Sequence, residues 1–308
     1  MKIYYSFRLA KTTLVLLLAG IFIISGCTKF KTDPAYISEI ELWQQLRIDS
    51  LKGHTGYLNL AGLFWFSNDV NSIGADSSNT FIFPKKAADN LGQLIIRVDS
   101  VWFVPAENGL VKINGAEPTE DSTLVFVEGA VELSMGSGDL NWFIIKRGNQ
   151  YGIRLKDFNH PLLASFNYID NFPIHGKWKV KATWEEYAAP KVVTVHNQVG
   201  MDLLQPVSGA LHFELAGNDY VLEPLGLADV DEYFVMLYDK TSGHETYGSG
   251  RYLYVPRADS NGTTYIDFNK AYNPPCAFTE FATCLFPHEA NRLPVRIEAG
   301  EKYAVTLK

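Results

Sequence analysis

Beyond Gly56 the chain alternates apolar and polar side chains with a period of two, in short runs closed by turn residues. No other feature restricts the fold as much, because that period puts every second side chain on one face of an extended strand. In Trp178-Lys179-Val180-Lys181-Ala182-Thr183-Trp184 the residues Trp178, Val180, Ala182 and Trp184 share a face. Val101–Val104, Leu124–Val127, Asn141–Ile145, Tyr151–Leu155, Val192–Val195, Ala210–Leu215, Tyr220–Leu222, Tyr233–Tyr238 and Arg251–Val255 are further strand candidates. Gly109, Asn114-Gly115, Gly136-Ser137-Gly138, Gly148-Asn149 and Gly217-Asn218-Asp219 punctuate them as turns. The 19 Phe, 16 Tyr and 6 Trp suit such strands. The expected fold is mainly β, with two packed sandwich-like or barrel-like halves and one N-terminal helix.

That helix is expected from Ser38, where Ser38 and Glu41 fit a capping box and Ile40, Trp43, Leu46 and Leu51 fall near one face. Gly53 can stop it. Between Asp157 and Gly176 the alternation lapses, and Phe158-Asn159-His160-Pro161 and Asn171-Phe172-Pro173-Ile174 read as loop. The organisation drawn from this is a tether over 27–37, a helix and β-rich half over 38–170, and a second β-rich half over 171–308.

Residues 1–26 read as a targeting segment, outside the fold. Lys2, Arg8 and Lys11 form a basic start, and Thr13–Ile24 is apolar but shorter than the roughly 20 residues of a membrane-spanning helix. Ile24-Ser25-Gly26-Cys27 is similar to a bacterial lipobox, which makes Cys27 the expected lipidation site and the membrane the expected partner. The expected address is the bacterial cell envelope, lipid-anchored and facing the periplasm. Loss of 1–26 removes three positive charges and no acidic ones, taking the net charge from −7 to −10. An acidic body argues against nucleic acid, whose binding rests on neutralising phosphates. The chain has no Gly-x-Ser-x-Gly elbow, phosphate-binding loop, dinucleotide glycine fingerprint or His-Glu-x-x-His helix. No cofactor is expected.

The last forty residues depart from the alternating pattern. Asp267-Phe268-Asn269-Lys270-Ala271-Tyr272-Asn273-Pro274-Pro275-Cys276-Ala277-Phe278 is dense in polar and rare residues. Pro274-Pro275 fixes two φ angles and pushes Asn273 toward extended backbone. The block therefore reads either as a rigid loop presenting Asp267, Asn269, Tyr272 and Asn273 to a ligand, or as a structural plug. Together with Gly56–Trp65, Arg154-Leu155-Lys156-Asp157, Phe172-Pro173-Ile174 and Tyr247–Leu253, it closely resembles the signature of domain of unknown function 1684. The resemblance runs from about Leu46 to the end and implies no established activity.

Cys276 and Cys284, with seven residues between them, read as a disulfide closing a small loop, as two free thiols, as a metal site completed by His288 or His244, or as a catalytic thiol. Arg154, Arg251 and Arg292 are the cationic candidates for an anion, with Asp157 among the ligand-binding candidates, or the arginines are structural partners of Asp157 and Asp267. His244, His160 and His175 lie in loops.

The expected function is a binding module for a small polar or anionic ligand or a partner, near the 267–276 loop and Arg251. The alternatives are a hydrolase of an envelope component and a purely structural protein. In the hydrolase, Asp267 or His244 is the base, and Arg251 and Asn273 stabilise negative charge.

Overall fold

The computed structural model describes residues 31–108 and 110–303, so the expected targeting segment and Cys27 lie outside the described residues. The fold is mainly β. Two sheets enclose the first core. One runs β1 (Leu60–Trp65), β11 (Gln150–Asp157), β10 (Leu140–Arg147), β9 (Ser134–Ser137), β6 (Lys112–Ile113). The other runs β3 (Phe81–Ile82), β2 (Val70–Gly74), β4 (Gly92–Arg97), β5 (Ser100–Pro105), β7 (Thr123–Val127), β8 (Val131–Glu132). Phe103, Trp142, Ile153, Leu94 and Met135 are fully buried between them.

The second core lies under a sheet ordered β14 (Asn218–Leu222), β13 (Asp202–Leu215), β12 (Lys179–His196), β17 (Thr263–Asp267) and under the hairpin of β15 (Glu232–Leu237) and β16 (Arg251–Pro256). Leu211, Leu222, Val235, Leu253, Ile266 and Phe268 fill it. The two sequence candidates at Trp178–Trp184 and Val192–Val195 form one strand, β12, broken by a bulge where the register with β13 slips between Glu186 and Lys191. The Gly217 turn is a tight hairpin: Ala216 and Gly217 take φ of 52° and 77°, the left-handed pair whose twist matches the strands it joins.

Helix α1 spans Pro34–Lys52, starting before the expected Ser38. Asp33 caps it, accepting from Ala35 N at 2.9 Å, and Pro34 takes the first turn where no amide partner is needed. Part of the expected tether is thus helix. Gly53 closes it, as expected. Ile40 and Leu51 are buried, but Leu42 and Leu46 stay 60% and 56% exposed. Although α1 precedes the first half in sequence, and its last residue Lys52 donates to the Phe166 carbonyl at 3.2 Å, most of its polar ties run to the second. Tyr36 donates to Asp267 at 2.7 Å, Lys270 pairs with Glu39 at 2.8 Å, and Arg47 with Glu301 at 3.1 Å. A short second helix, α2 (Pro161–Ser165), capped by the His160 ring, sits in the segment read as loop.

Candidate functional site

The halves and α1 leave a groove between them, and four local features build it. On β10 and β11 alternation sends Trp142, Ile144, Ile153 and Leu155 into the first core, so Arg147, Arg154 and Lys156 stand on the opposite face. On β15 and β16 the same rule sends Val235, Leu237, Leu253 and Val255 into the second core and turns Phe234, Tyr252 and Tyr254 toward the groove. Pro275 and Cys276 form a short 3-10 turn, and a disulfide ties Cys276 to Cys284 with Cα atoms 6.0 Å apart. That bridge holds the 279–285 loop, and Thr283, against β10 and β11. Helix α1 supplies the last wall with Trp43, Leu46, Arg47 and Ser50.

The groove consists of two adjoining hollows that share Tyr57, Phe234, Tyr252 and Pro275. The larger, about 500 Å³, is aromatic. Its one cation, Arg47, is spent: it pairs with buried Glu301, donates to the Asn273 carbonyl at 3.0 Å and lies 4.6 Å over the Tyr272 ring. The smaller, about 190 Å³, holds Arg147, Arg154 and Thr283. Arg154 donates to Thr283 Oγ1 at 3.3 Å, and its Nε is buried with no partner. Arg147 donates to the same oxygen at 3.4 Å and to the Lys146 carbonyl. Lys156 Nζ donates to the His54 carbonyl at 2.6 Å. Among the described residues none of these three cations has a carboxylate within 4.0 Å. Burial, and then the like charge of Arg147, pull the Arg154 guanidinium below its usual pKa; burial, and then Arg154, do the same to Lys156. Arg147 and Arg154 thus face the groove without a carboxylate partner, an arrangement whose chemistry can accept an anion.

Most of the terminal block is turned inward. Asp267 Oδ1 accepts from Tyr36, from Asn269 N and from Asn269 Nδ2. Asn269 also donates to the His175 carbonyl and accepts from His175 N, both at 3.1 Å. Asn273 donates its amide N–H to Glu301 at 2.7 Å and its side chain to the Lys302 carbonyl at 2.9 Å. Arg251 is fully buried; it pairs with Asp239 at 3.3 Å and donates to the carbonyls of Ile297 and Ala299. Asp267, Asn273 and Arg251 thus meet internal partners rather than one another, and His244 lies apart in an exposed turn. This departs from the convergence a hydrolase on those groups requires.

Residues 164–302 match the model of the family described as protein of unknown function (DUF1684). The chain belongs to this family through that segment. The match begins later than the resemblance read from Leu46, so the Gly56–Trp65 and Arg154–Asp157 blocks fall outside it. A solved structure, the solution NMR structure of the uncharacterized protein from gene locus rrnAC0354 of Haloarcula marismortui, is 28% identical over 46% of this chain and 80% of that chain, with a TM-score of 0.39. No curated protein matches. The groove therefore lies where the DUF1684 segment, with Tyr252, Tyr272, Pro275 and Thr283, meets residues that precede it, with Arg147, Arg154 and Tyr57.

Other sequence candidates take other places. Arg292 lies 4.7 Å over the Tyr238 ring and near Glu289, half-exposed. Asp157 pairs with Lys86 and caps the Asn159 amide. His288 is buried beside Glu223, whose carboxylate takes bonds from Tyr187 and Lys191, both at 2.6 Å. Burial opposes ionisation of Glu223, but Lys191 and Tyr187 hold its pKa below the usual value. With both thiols in the disulfide, the Cys276/Cys284/His288 metal set is not available, and among the described residues no cluster of three or more His, Cys, Asp or Glu side chains is placed for a metal. Sequence reasoning missed Arg47, Arg147, Thr283, Tyr57 and the aromatic wall. Of these, strand alternation marked Phe234, Tyr252 and Tyr254, and Tyr57 stood in the Gly56–Trp65 block.

Proposed function

We propose that this chain is a lipid-anchored envelope protein that binds a small anionic ligand in the groove between its two β-halves. The observation that carries the binding reading is the Arg147–Arg154 pair converging on Thr283 with no carboxylate partner. An anion there supplies the counter-charge these groups lack, and the planar guanidinium forks suit carboxylate or phosphate oxygens. The groove volume falls in the range of small-molecule sites. Lipidation on Cys27 rests on the lipobox-like tetrapeptide and the basic and apolar segments before it.

The test is thermal unfolding of the full chain carried in phosphatidylcholine nanodiscs, with inorganic phosphate or acetate added. Saturation to a hundred times Kd stabilises by about 2.7 kcal/mol. That gain is expected in the wild type and absent in Arg147→Gln/Arg154→Gln. Equal gains in both proteins sink the binding site. Cys27→Ser is expected to move the chain out of the membrane fraction; unchanged membrane attachment that resists salt refutes the lipid anchor.

A further inference from the structure

The groove carries cations without a carboxylate partner at one end only, and this bears on what fills it. We infer that its ligand is a single-chain anionic amphiphile, with the charged head on Arg147, Arg154 and Thr283 and an apolar chain running toward α1. The inference rests on the anion-binding reading above and adds the other end of the ligand.

Three observations point to it. The hollow that holds the free cations adjoins the larger one, sharing Tyr57, Phe234, Tyr252 and Pro275, so a ligand with its head at Thr283 has an aromatic floor leading away from it. The larger hollow offers little polar competition. Arg47 is neutralised by Glu301, and the Tyr252 hydroxyl is spent on the Leu285 carbonyl at 2.7 Å. Tyr272 turns its hydroxyl to Tyr254, and the Tyr254 and Tyr272 rings stack in nearly parallel planes, 16° apart. What remains for a ligand are ring faces, Trp43, Leu46 and a single small hydroxyl at Ser50. At the mouth, Leu46 and Leu42 are one helical turn apart on α1, both more than half exposed. A chain leaving the groove over Leu46 covers apolar surface that the fold leaves in water.

Carboxylate-headed and phosphate-headed amphiphiles share this chemistry, and the measurement separates them. The full chain in phosphatidylcholine nanodiscs is titrated with decyl phosphate, decanoate, inorganic phosphate and the neutral decyl maltoside, following tryptophan fluorescence and thermal shift. Wild type, Leu46→Asp and Arg147→Gln/Arg154→Gln are compared, so that partition into the lipid cancels. Decyl phosphate or decanoate, whichever head the site prefers, is expected to bind at least tenfold tighter than inorganic phosphate. Leu46→Asp should erase that gain while leaving inorganic phosphate affinity as it was, and circular dichroism should show α1 intact. The arginine variant should weaken all three anions. If inorganic phosphate binds as tightly as the preferred amphiphile, the chain inference is overturned while the anion site stands. Equal binding of decyl maltoside overturns the anionic head. No binding of any probe overturns both readings together.

Discussion

Arg147 and Arg154 meet on one oxygen: both guanidinium groups donate to Thr283 Oγ1, at 3.4 and 3.3 Å. Two like charges sharing one neutral acceptor is a poor arrangement for stability, because each is partly desolvated and neither gains an ion pair.

It follows that Arg154 is not there to hold the fold. Arg154→Met loses one long hydrogen bond, worth about 1 kcal/mol, and relieves desolvation and repulsion of similar size. The expected stability in the absence of ligand is unchanged or up to about 1 kcal/mol higher, measured by urea unfolding. A loss above about 2 kcal/mol means that the arginine is a structural tie.

Much of this groove could not be read from the chain. The strands were legible where alternation was clean, as at Tyr233–Tyr238 and Arg251–Val255. They were not where strands have two residues, as at Phe81–Ile82, or where glycine breaks the pattern, as at Leu60–Trp65. The break in β12 hid a single long strand behind two short ones. Among site residues, Arg154 and Tyr272 stood in family-like blocks. Arg147 and Thr283 are ordinary until the fold brings them together from positions 136 apart. The terminal block misled in the opposite direction. Its acid and amides are residue types that chemistry favours, yet buried loop backbone needs the same groups to satisfy its own donors and acceptors.

Asp267 shows this use. Its Oδ1 takes the Tyr36 hydroxyl, and burial and then this carboxylate push the Tyr36 pKa up, so the phenol stays a donor throughout the working range. Asp267→Ala removes the oxygen on which three donors converge. The expected cost is about 1–3 kcal/mol, by calorimetry or denaturant, with phosphate affinity in the groove unchanged. A variant that keeps its stability and loses the ligand would return Asp267 to the site.

Arg251 and Asp239 are both fully buried, and the pair is surrounded by its own acceptors and donors: Ile297 N bonds Asp239 at 2.6 Å, while Arg251 reaches two carbonyls. Removing one partner strands the other charge. Arg251→Met should cost about 3–5 kcal/mol, far more than the same change at Arg154. Comparable losses at the two positions in urea unfolding would mean that Arg154, like Arg251, is a structural tie.

Glu301 gives a pH signature of uncommon sign. It is almost fully buried, and burial raises its pKa despite Arg47 and the Asn273 amide, which act against it. A carboxyl with a raised folded pKa binds its proton more tightly folded than unfolded. Its contribution is complete below the unfolded value of about 4.3 and declines as pH rises through the folded value. Unfolding free energy measured from pH 4 to 8 should therefore fall more steeply, or rise less, with pH in the wild type than in Glu301→Gln. Parallel curves would show that Arg47 fully offsets the burial.

The Cys276–Cys284 bridge joins stability to the groove, because the loop it closes carries Thr283 between the two cysteines. Loop-closure entropy assigns a ring of this size about 2–3 kcal/mol. Cys276→Ala/Cys284→Ala should lose about that much, and the bridge is also expected to matter for binding. Backbone N–H groups of Cys276 and Cys284 point at each other's sulfur, at 3.0 and 3.2 Å, so the two segments are held side by side. Freed of the bridge, the loop no longer fixes Thr283 against Arg147 and Arg154, and phosphate affinity should fall several-fold even at temperatures where the variant is fully folded. A variant that is less stable yet binds phosphate as tightly as the wild type would show that packing alone, through Ala282 and Leu285 against Met236 and Tyr252, positions the loop.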